Sequence, residues 1–372
     1  MGCVHSGSQK IRNGDGSQSS ASSVDPSGIF KGAELPALKM SVHGTVEQQK
    51  EGAMVAEYAG LVAGEKSDQD RFIIVPDLLD GGVHCGGIFD GHAEGGAKCA
   101  RDAALSLPKG LRESLRWLAD NDGSADKIDD RVRKSIEGVF LSHQKFLTKT
   151  FEQTVKAPLE RERKKMEKEL NVKLDATLPM TGGTTATLAV VYGGRVAVAC
   201  AGDSRAVLCE ITPASTVSAI DLSKDHNVES NPAEVARAEA AGGGRCGKYM
   251  AVNGADGMLQ VTRSLGDVAH HYGDVLTACP EISITRLEKD SHAFIFIASD
   301  GVWHHFDSKT VVEKIHAKLV AEEYIENQPD SSAKLLNVLS TFRDEIIDLV
   351  RTNTALKDDI SMVLFPIKGH WR

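Results

Sequence analysis

Five aspartates stand where apolar runs begin or end. Asp70 precedes Phe72, Asp90 follows Ile88-Phe89, Asp203 follows the run Val198 to Gly202, Asp300 follows Phe294 to Ser299, and Asp358 precedes Ile360 to Phe365. One such aspartate is an ordinary turn-former, because its side chain bonds to nearby backbone. Several at strand ends can instead converge at one edge of a fold. A cluster of carboxylate oxygens is the ligand set that hard divalent cations such as Mg²⁺ or Mn²⁺ select. On this pattern alone, independent turns and a shared cation site both remain open.

The elements that would position these groups are short. Residues 72–75 and 83–90 are apolar runs bounded by Gly, Pro and Asp and read as strands, with Asp80-Gly81-Gly82 turning between them as a hairpin. Further strand-like segments lie at 184–192, 195–201, 205–211, 293–299 and 360–367, and Gly193-Gly194 joins two of them tightly. Helices are expected over 94–119 with a break at Pro108, and over 232–241, 308–323 and 332–351. Pro232 after Ser230-Asn231 marks a helix start and Gly242 its stop. Ile136, Val139, Phe140, Phe146, Leu147, Phe151 and Val155 recur at helical spacing as a core stripe. Beyond Pro158, residues 159–174 interleave Glu with Lys and Arg, as expected of a solvated helical extension. Hairpin-linked strands with helices in blocks predict an α+β fold, not a parallel βαβ sheet.

The 372 residues are enough for one large domain or two, and 41% hydrophobic with 26% charged residues is the balance of a globular protein. The net charge of −9 repels nucleic-acid phosphates, so no nucleic-acid partner is expected. No apolar run is long enough to span a bilayer, and the N-terminus lacks the apolar core of a secretory signal. The seven cysteines are scattered without CxxC spacing, which predicts reduced thiols and a cytoplasmic setting; Cys200, in an apolar run, reads as a small core residue.

Residues 1–30 hold eight Ser and five Gly but one aromatic, Phe30, too little apolar surface to offset the entropy of ordering. A tail over 1–35 and a folded body over 36–372 are expected. The start Met1-Gly2-Cys3-Val4-His5-Ser6 fits N-myristoylation at Gly2. Palmitoylation of Cys3 would supply the second lipid that stable membrane anchoring requires.

From about Gly60 to Ile367 the chain resembles the type 2C metal-dependent protein serine/threonine phosphatases. The resemblance is carried in order by Lys66-Ser67-Asp68-Gln69-Asp70-Arg71, Gly87-Ile88-Phe89-Asp90-Gly91-His92, Gly182-Gly183-Thr184-Thr185-Ala186 and Ala201-Gly202-Asp203-Ser204-Arg205-Ala206-Val207. It continues through Lys224-Asp225-His226, Ala241-Gly242-Gly243, Val261-Thr262-Arg263-Ser264-Leu265-Gly266-Asp267, Ala298-Ser299-Asp300-Gly301-Val302-Trp303 and Asp358-Asp359-Ile360-Ser361. Each motif alone is weak; in this order they are specific. The resemblance implies a β-sandwich of two antiparallel sheets flanked by helices, with two Mg²⁺ or Mn²⁺ ions at one end. It implies that Asp90 bridges the ions, Gly91 lends a backbone carbonyl, Asp300 and Asp358 complete one ion, and the Gln69-Asp70 position helps hold the other. An activated bridging water would then hydrolyse phosphoserine and phosphothreonine in proteins without a phospho-enzyme. The resemblance makes His92 the general acid for the departing seryl or threonyl oxygen, places Lys66 near the basic position that binds the phosphate as a point charge, and implies a monomer.

Three departures bear on this. Asp68 stands where Asn is common, and Gln69 where many members carry Glu, which thins the charge near one ion. His304 stands where the family usually has an acid that, with the Asp203 equivalent, holds an accessory third ion. Gln69 and His304 motivate a second reading, a catalytically weakened phosphoprotein-binding protein; the charged helix at 159–174 motivates a third, a membrane-tethered scaffold. The segment 228–260 corresponds to the family's flap, expected to bias substrate choice. Thr184 and Thr185 are read as positioning residues, not nucleophiles, and His84, His226, His270 and His271 as structural or solvated.

Overall fold

The computed structural model describes residues 41–42, 59–63, 69–79, 82–120, 125–174, 177–212, 216–288, 292–325, 328–352 and 358–368. Gly2, Cys3 and Lys66 lie outside the described residues, as does the turn at Asp80-Gly81. In chain order the strands of the first half are β1 (Ser41–Val42), β2 (Ala59–Ala63), β3 (Arg71–Leu79), β4 (Val83–Phe89), β5 (Gly91–His92), β6 (Gly183–Thr184), β7 (Ala186–Tyr192) and β8 (Arg195–Ala201). There follow β9 (Arg205–Ile211), β10 (Val217–Asp221), β11 (Gly244–Cys246), β12 (Tyr249–Ala251), β13 (Met258–Leu259), β14 (Leu265–Gly266), β15 (Glu281–Arg286), β16 (His292–Ala298) and β17 (Ile360–Lys368). The helices are α1 (Gly96–Leu115), α2 (Ala125–Phe151), α3 (Ala157–Leu170), α4 (Pro232–Ala240), α5 (Asp300–Trp303), α6 (Ser308–Ala321) and α7 (Ser331–Thr352).

Two antiparallel sheets carry the molecule, one in the order β1-β3-β4-β7-β8-β15 and the other β10-β9-β16-β17-β2. Their central strands read as apolar runs because both faces are buried, while the edge strands β10 and β15 are partly exposed. Side chains alternate across a strand, so Phe72 and Ile74 point between the sheets while Ile73 and Val75 point to the helices α1 and α2. In the second sheet Ile295 and Ile297 meet Val363 and Phe365 between the sheets, while Phe294, Phe296 and Leu364 face α6 and α7. The result is helix, sheet, sheet, helix: the α+β class that the element pattern predicts, in the helix-flanked sandwich that the resemblance implies. Gly193 and Gly194, at φ 49° and 71°, make the two-residue turn between β7 and β8; only left-handed residues match strand twist in so short a loop.

Two local expectations change. Helix α1 runs through Pro108 without a break. The proline forfeits one backbone hydrogen bond, but Ala104, Leu107, Pro108 and Leu111 are all buried against the first sheet and its cluster, which offsets the loss. On α2, Ile136, Val139, Phe140 and Phe151 are buried as expected, whereas Phe146 is 62% exposed. At about 100° per residue Phe146 lies well off the stripe that Phe140 and Phe151 share. A wide π-type turn over Glu152–Lys156 links α2 to α3. It absorbs Pro158, which has no N–H and would crowd a regular turn. The flap segment forms α4, capped by Asn231 through its acceptor for the Glu234 N–H at 3.2 Å, and the small sheet β11-β12-β13.

Among the described residues Cys85, Cys99, Cys200, Cys209, Cys246 and Cys279 are free thiols, and Cys200 is buried. No helix among the described residues is long and apolar enough to cross a membrane.

Candidate active site

Asp70 lies just ahead of β3 and is buried; its Oδ2 accepts a hydrogen bond from Ser361 Oγ on β17 at 2.7 Å. That bond ties the start of β3 in one sheet to β17 in the other. Asp90 sits between β4 and β5, where its N–H donates to Thr185 Oγ1 at 3.0 Å and its carbonyl accepts from Thr185 N at 2.8 Å. Thr185 Oγ1 also shares a hydrogen bond of 2.7 Å with Ser204 Oγ, so one buried threonine joins the Asp90 loop to the Asp203 loop. This is the positioning role expected of Thr185. Asp203 Oδ2 accepts from Asn227 Nδ2 at 3.3 Å.

Asp300 opens α5, directly after β16. Trp303 anchors that short helix: its Nε1 donates to Ala298 O at 2.8 Å and its ring meets Phe296 edge-on at 5.9 Å. The Arg205 guanidinium lies over the same ring at 4.9 Å and makes a two-point ion pair with Asp225, at 2.9 and 2.6 Å. Arg205 thus couples the Asp203 turn to the Asp300 helix. Asp358, exposed, accepts from Asp359 N at 2.9 Å, and Asp359 Oδ2 accepts from Gln69 N at 3.3 Å. Gln69 therefore contributes to the site's framework through its backbone.

The aspartates do come together, with Asp90 at the centre. Burial raises Asp90 well above the carboxylate range, and the charges of Asp70, Asp300, Asp358 and Asp203 raise it further. Burial pushes Asp70 up to about 6, against hydrogen bonds to Ser361 and Asp90 that favour its charged form. Asp203 and Asp300 are each pushed up to about 7, first by burial and then by neighbouring carboxylates. Carboxylates that raise one another in this way resist ionising together unless a cation joins them.

Among the described residues no three Asp, Glu, His or Cys side chains stand ready-made as a coordination sphere. The donors nonetheless suit a hard cation: they are carboxylate oxygens, and the buried Asp300 Oδ1 has no hydrogen-bond partner. His304 Nδ1 lies 3.6 Å from Asp300 Oδ2, one turn along the chain.

One functional residue escaped the sequence reading. Asp267, fully buried, places Oδ2 2.6 Å from His92 Nε2 and accepts a second hydrogen bond from Ser264 Oγ, also at 2.6 Å. Burial alone would lower the His92 pKa, but the Asp267 carboxylate outweighs it and the net shift is upward. Asp267 itself is held below the usual carboxylate range, since His92 and Ser264 outweigh its burial. Two features build this pair. Gln144 on α2 clamps Gly266 from both sides, donating to its carbonyl and accepting from its N–H, each at 2.9 Å. Gly183, which pairs with His92 in the sheet β14-β6-β5, leaves room for the carboxylate: a Cβ there would sit 2.0 Å from Asp267 Oδ2. The sequence signal was an Asp directly after Gly266, held left-handed at φ 40°.

Of the histidines read as structural, His226 and His270 are buried, and His226 Nε2 lies 3.3 Å from Glu281.

Comparison with known proteins agrees with this geometry. The family model described as Protein phosphatase 2C matches residues 102–355. Protein phosphatase 1L of Bos taurus is 32% identical over 280 residues, covering 74% of this chain and 65% of that protein. Protein phosphatase 1G of Rattus norvegicus is 34% identical over 175 residues, covering 45% of this chain and 28% of that protein. The chain thus spans less than a third of that relative's length. Among solved structures, the serine-threonine phosphatase 2C from Toxoplasma gondii superposes with a TM-score of 0.66 at 18% identity, covering 89% of this chain and 100% of that one, a likeness of fold. A match across more than half the chain, on a sandwich that gathers the motif aspartates at one end, places the chain in the protein phosphatase 2C family.

Proposed function

We propose that this protein hydrolyses phosphoserine and phosphothreonine in protein substrates, using two Mg²⁺ or Mn²⁺ ions. The observation that carries this is the convergence of Asp70, Asp300, Asp358 and Asp203 on Asp90, beside the His92–Asp267 pair. Asp90, Asp70, Asp300, Asp358 and the Gly91 carbonyl would hold the ions. Bound there, they would polarise the phosphoryl oxygens and lower the pKa of an attacking water.

The chain's own residues account for the proton. With Nε2 bonded to the Asp267 carboxylate, that nitrogen is the donor, and Nδ1 is the ring nitrogen left to face a substrate. A protonated His92 donates its Nδ1 proton to the departing seryl or threonyl oxygen, while Asp267 stabilises the charged ring and fixes its rotation. Asp203, bonded to Asn227 and near Asp300, would offer an oxygen donor to an accessory ion, with His304 in place of the usual acid. The retained aspartates and His92 favour turnover over a binding-only role. Attachment to a membrane through acylated Gly2 and Cys3 is a separate proposal, supported by the N-terminal pattern alone.

The test is hydrolysis of a phosphothreonine peptide with Mn²⁺, Mg²⁺ or EDTA, beside Asp90→Asn. Metal-dependent turnover lost in Asp90→Asn is expected. A folded protein that binds the phosphopeptide and turns nothing over would overturn the proposal in favour of a binding protein.

A further inference from the structure

Gln144 is 7% exposed and shares the buried face of α2 with Val139, Phe140 and His143. A carboxamide on such a face is costly unless both of its halves find partners. Both do, and on one residue: Nε2 donates to the Gly266 carbonyl and Oε1 accepts from the Gly266 N–H, each at 2.9 Å. An adjacent donor and acceptor are what a further antiparallel strand would present to an edge residue. Gln144 thus extends the sheet β14-β6-β5 by the equivalent of one peptide unit on the β14 side.

That sheet is the frame on which the histidine and its carboxylate meet. His92 on β5 pairs with Gly183 on β6, and Gly183 pairs with Gly266 on β14, so the three residues stand in one row. Asp267 follows the last of them and reaches back over Gly183 to His92. The three strands, Gly91–His92, Gly183–Thr184 and Leu265–Gly266, are two residues long and each contains a glycine. Gly-rich strands specify their register weakly. The turn that carries the carboxylate is also demanding: Gly266 and Asp267 are both left-handed, at φ 87° and 40°. Glycine adopts that conformation freely and other residues rarely, so the Asp267 backbone stays there only while its surroundings hold it. The Asp267 N–H donates to the Gly182 carbonyl at 2.9 Å on the inner side of the turn, and Gln144 grips the outer side.

We infer that Gln144 is a positioning residue for proton donation: it locks the Gly266-Asp267 turn so that the carboxylate meets His92. The kinetic consequence rests on the phosphatase reading, whereas the geometric one does not. Acting through Asp267, Gln144 contributes no more to the rate than the Asp267 contact itself. Its influence is confined to steps that need a protonated His92, because the aspartates proposed to hold the ions are fixed by other residues, Asp70 by Ser361 and the Asp90 loop by Thr185.

Gln144→Met keeps the length of the side chain and removes both bonds, while an ionised Gln144→Glu keeps the acceptor for the Gly266 N–H and loses the donor. The first arm is kcat for a phosphothreonine peptide and for an aryl phosphate at saturating Mn²⁺. In Gln144→Met the peptide kcat should fall ~10-fold with KM unchanged within about twofold, and the aryl phosphate rate should fall by less than about threefold. Gln144→Glu should lie between wild type and Gln144→Met. Added to Asp267→Asn, Gln144→Met should lower the peptide kcat by less than about twofold more, as expected of residues acting through one contact. The second arm follows the His92 Nε2 proton by nitrogen-15 NMR in Mg²⁺, where its hydrogen bond to a carboxylate sets the chemical shift. Both substitutions should move that signal upfield. Should Gln144→Met fail to fold, Gln144→Glu carries both arms. Equal losses on the two substrates, or a His92 signal unmoved in the folded variants, would overturn the inference. A wild-type protein that hydrolyses neither substrate would overturn the phosphatase reading instead, and the NMR signal would still decide whether Gln144 places Asp267 against His92.

Discussion

Asp267→Asn keeps the shape of the side chain that holds His92 and removes its charge. Asp267 Oδ2 lies 2.6 Å from His92 Nε2 and is buried, so little solvent screens the pair. A charge-assisted hydrogen bond of this kind is worth about 1.5–3 kcal/mol. At 1.36 kcal/mol per factor of ten, losing it costs roughly 10- to 100-fold in any step that needs a protonated His92. Departure of a seryl or threonyl oxygen is such a step, because an alkoxide is a poor leaving group. An activated aryl phosphate expels a stable phenolate and needs almost no acid. The assay is therefore kcat for a phosphothreonine peptide and for an aryl phosphate, wild type against variant, at saturating Mn²⁺. The peptide rate should fall roughly 10- to 100-fold and the aryl phosphate rate by less than about threefold. Equal losses on both substrates would refute the reasoning, because they would show Asp267 serving the architecture of the site and not proton donation.

Gly183→Ala should mimic that defect from the opposite side, since the new Cβ would sit 2.0 Å from Asp267 Oδ2 and displace it. Combined with Asp267→Asn it should add little, as expected of changes acting through one contact; full multiplicativity in kcat would contradict this. Glu234, buried against Arg263 at 2.6 Å, has its pKa lowered to about 2 despite the burial that opposes the shift, because the arginine outweighs it. Its folded pKa lies below the ordinary value of 4.5, so its stabilisation, on the order of 3 kcal/mol, is complete above that value and is lost as pH falls towards 2. Urea unfolding of wild type and Glu234→Gln should therefore differ at pH 7 and converge in acid, and a gap independent of pH would exclude the ion pair as its source. Finally, Gly2→Ala should move the protein from the membrane to the soluble fraction in cells, while an unchanged distribution would rule out acylation there.

The legible part of this protein was what neighbouring residues control. Strands β3, β4, β7, β8, β9, β16 and β17 followed from apolar runs, and the structure explains the continuity, since both of their faces are covered; the edge strands β10 and β15 are partly exposed and carried no such run. Helix α4 announced itself through Asn231 and Pro232, and Gly193-Gly194 specified its turn. Local rules failed where distant packing overruled them. Pro108 sits inside a helix because the buried face around it offsets a missing hydrogen bond. Phe146 is a different case: the helical period itself takes it off the buried stripe of α2.

By itself the sequence determined which residues could do the chemistry: aspartates where strands stop, a histidine beside Asp90, and motifs in the order of a phosphatase family. Residue type fixes what a side chain can bind or donate, and strand periodicity fixes the face it takes. Only the tertiary structure decided which of these groups meet. Asp70 finds Ser361 across 291 residues, and His92 finds Asp267 across 175. No local pattern encodes such a pairing, because it depends on two sheets stacking and on a glycine at position 183 leaving space for a carboxylate.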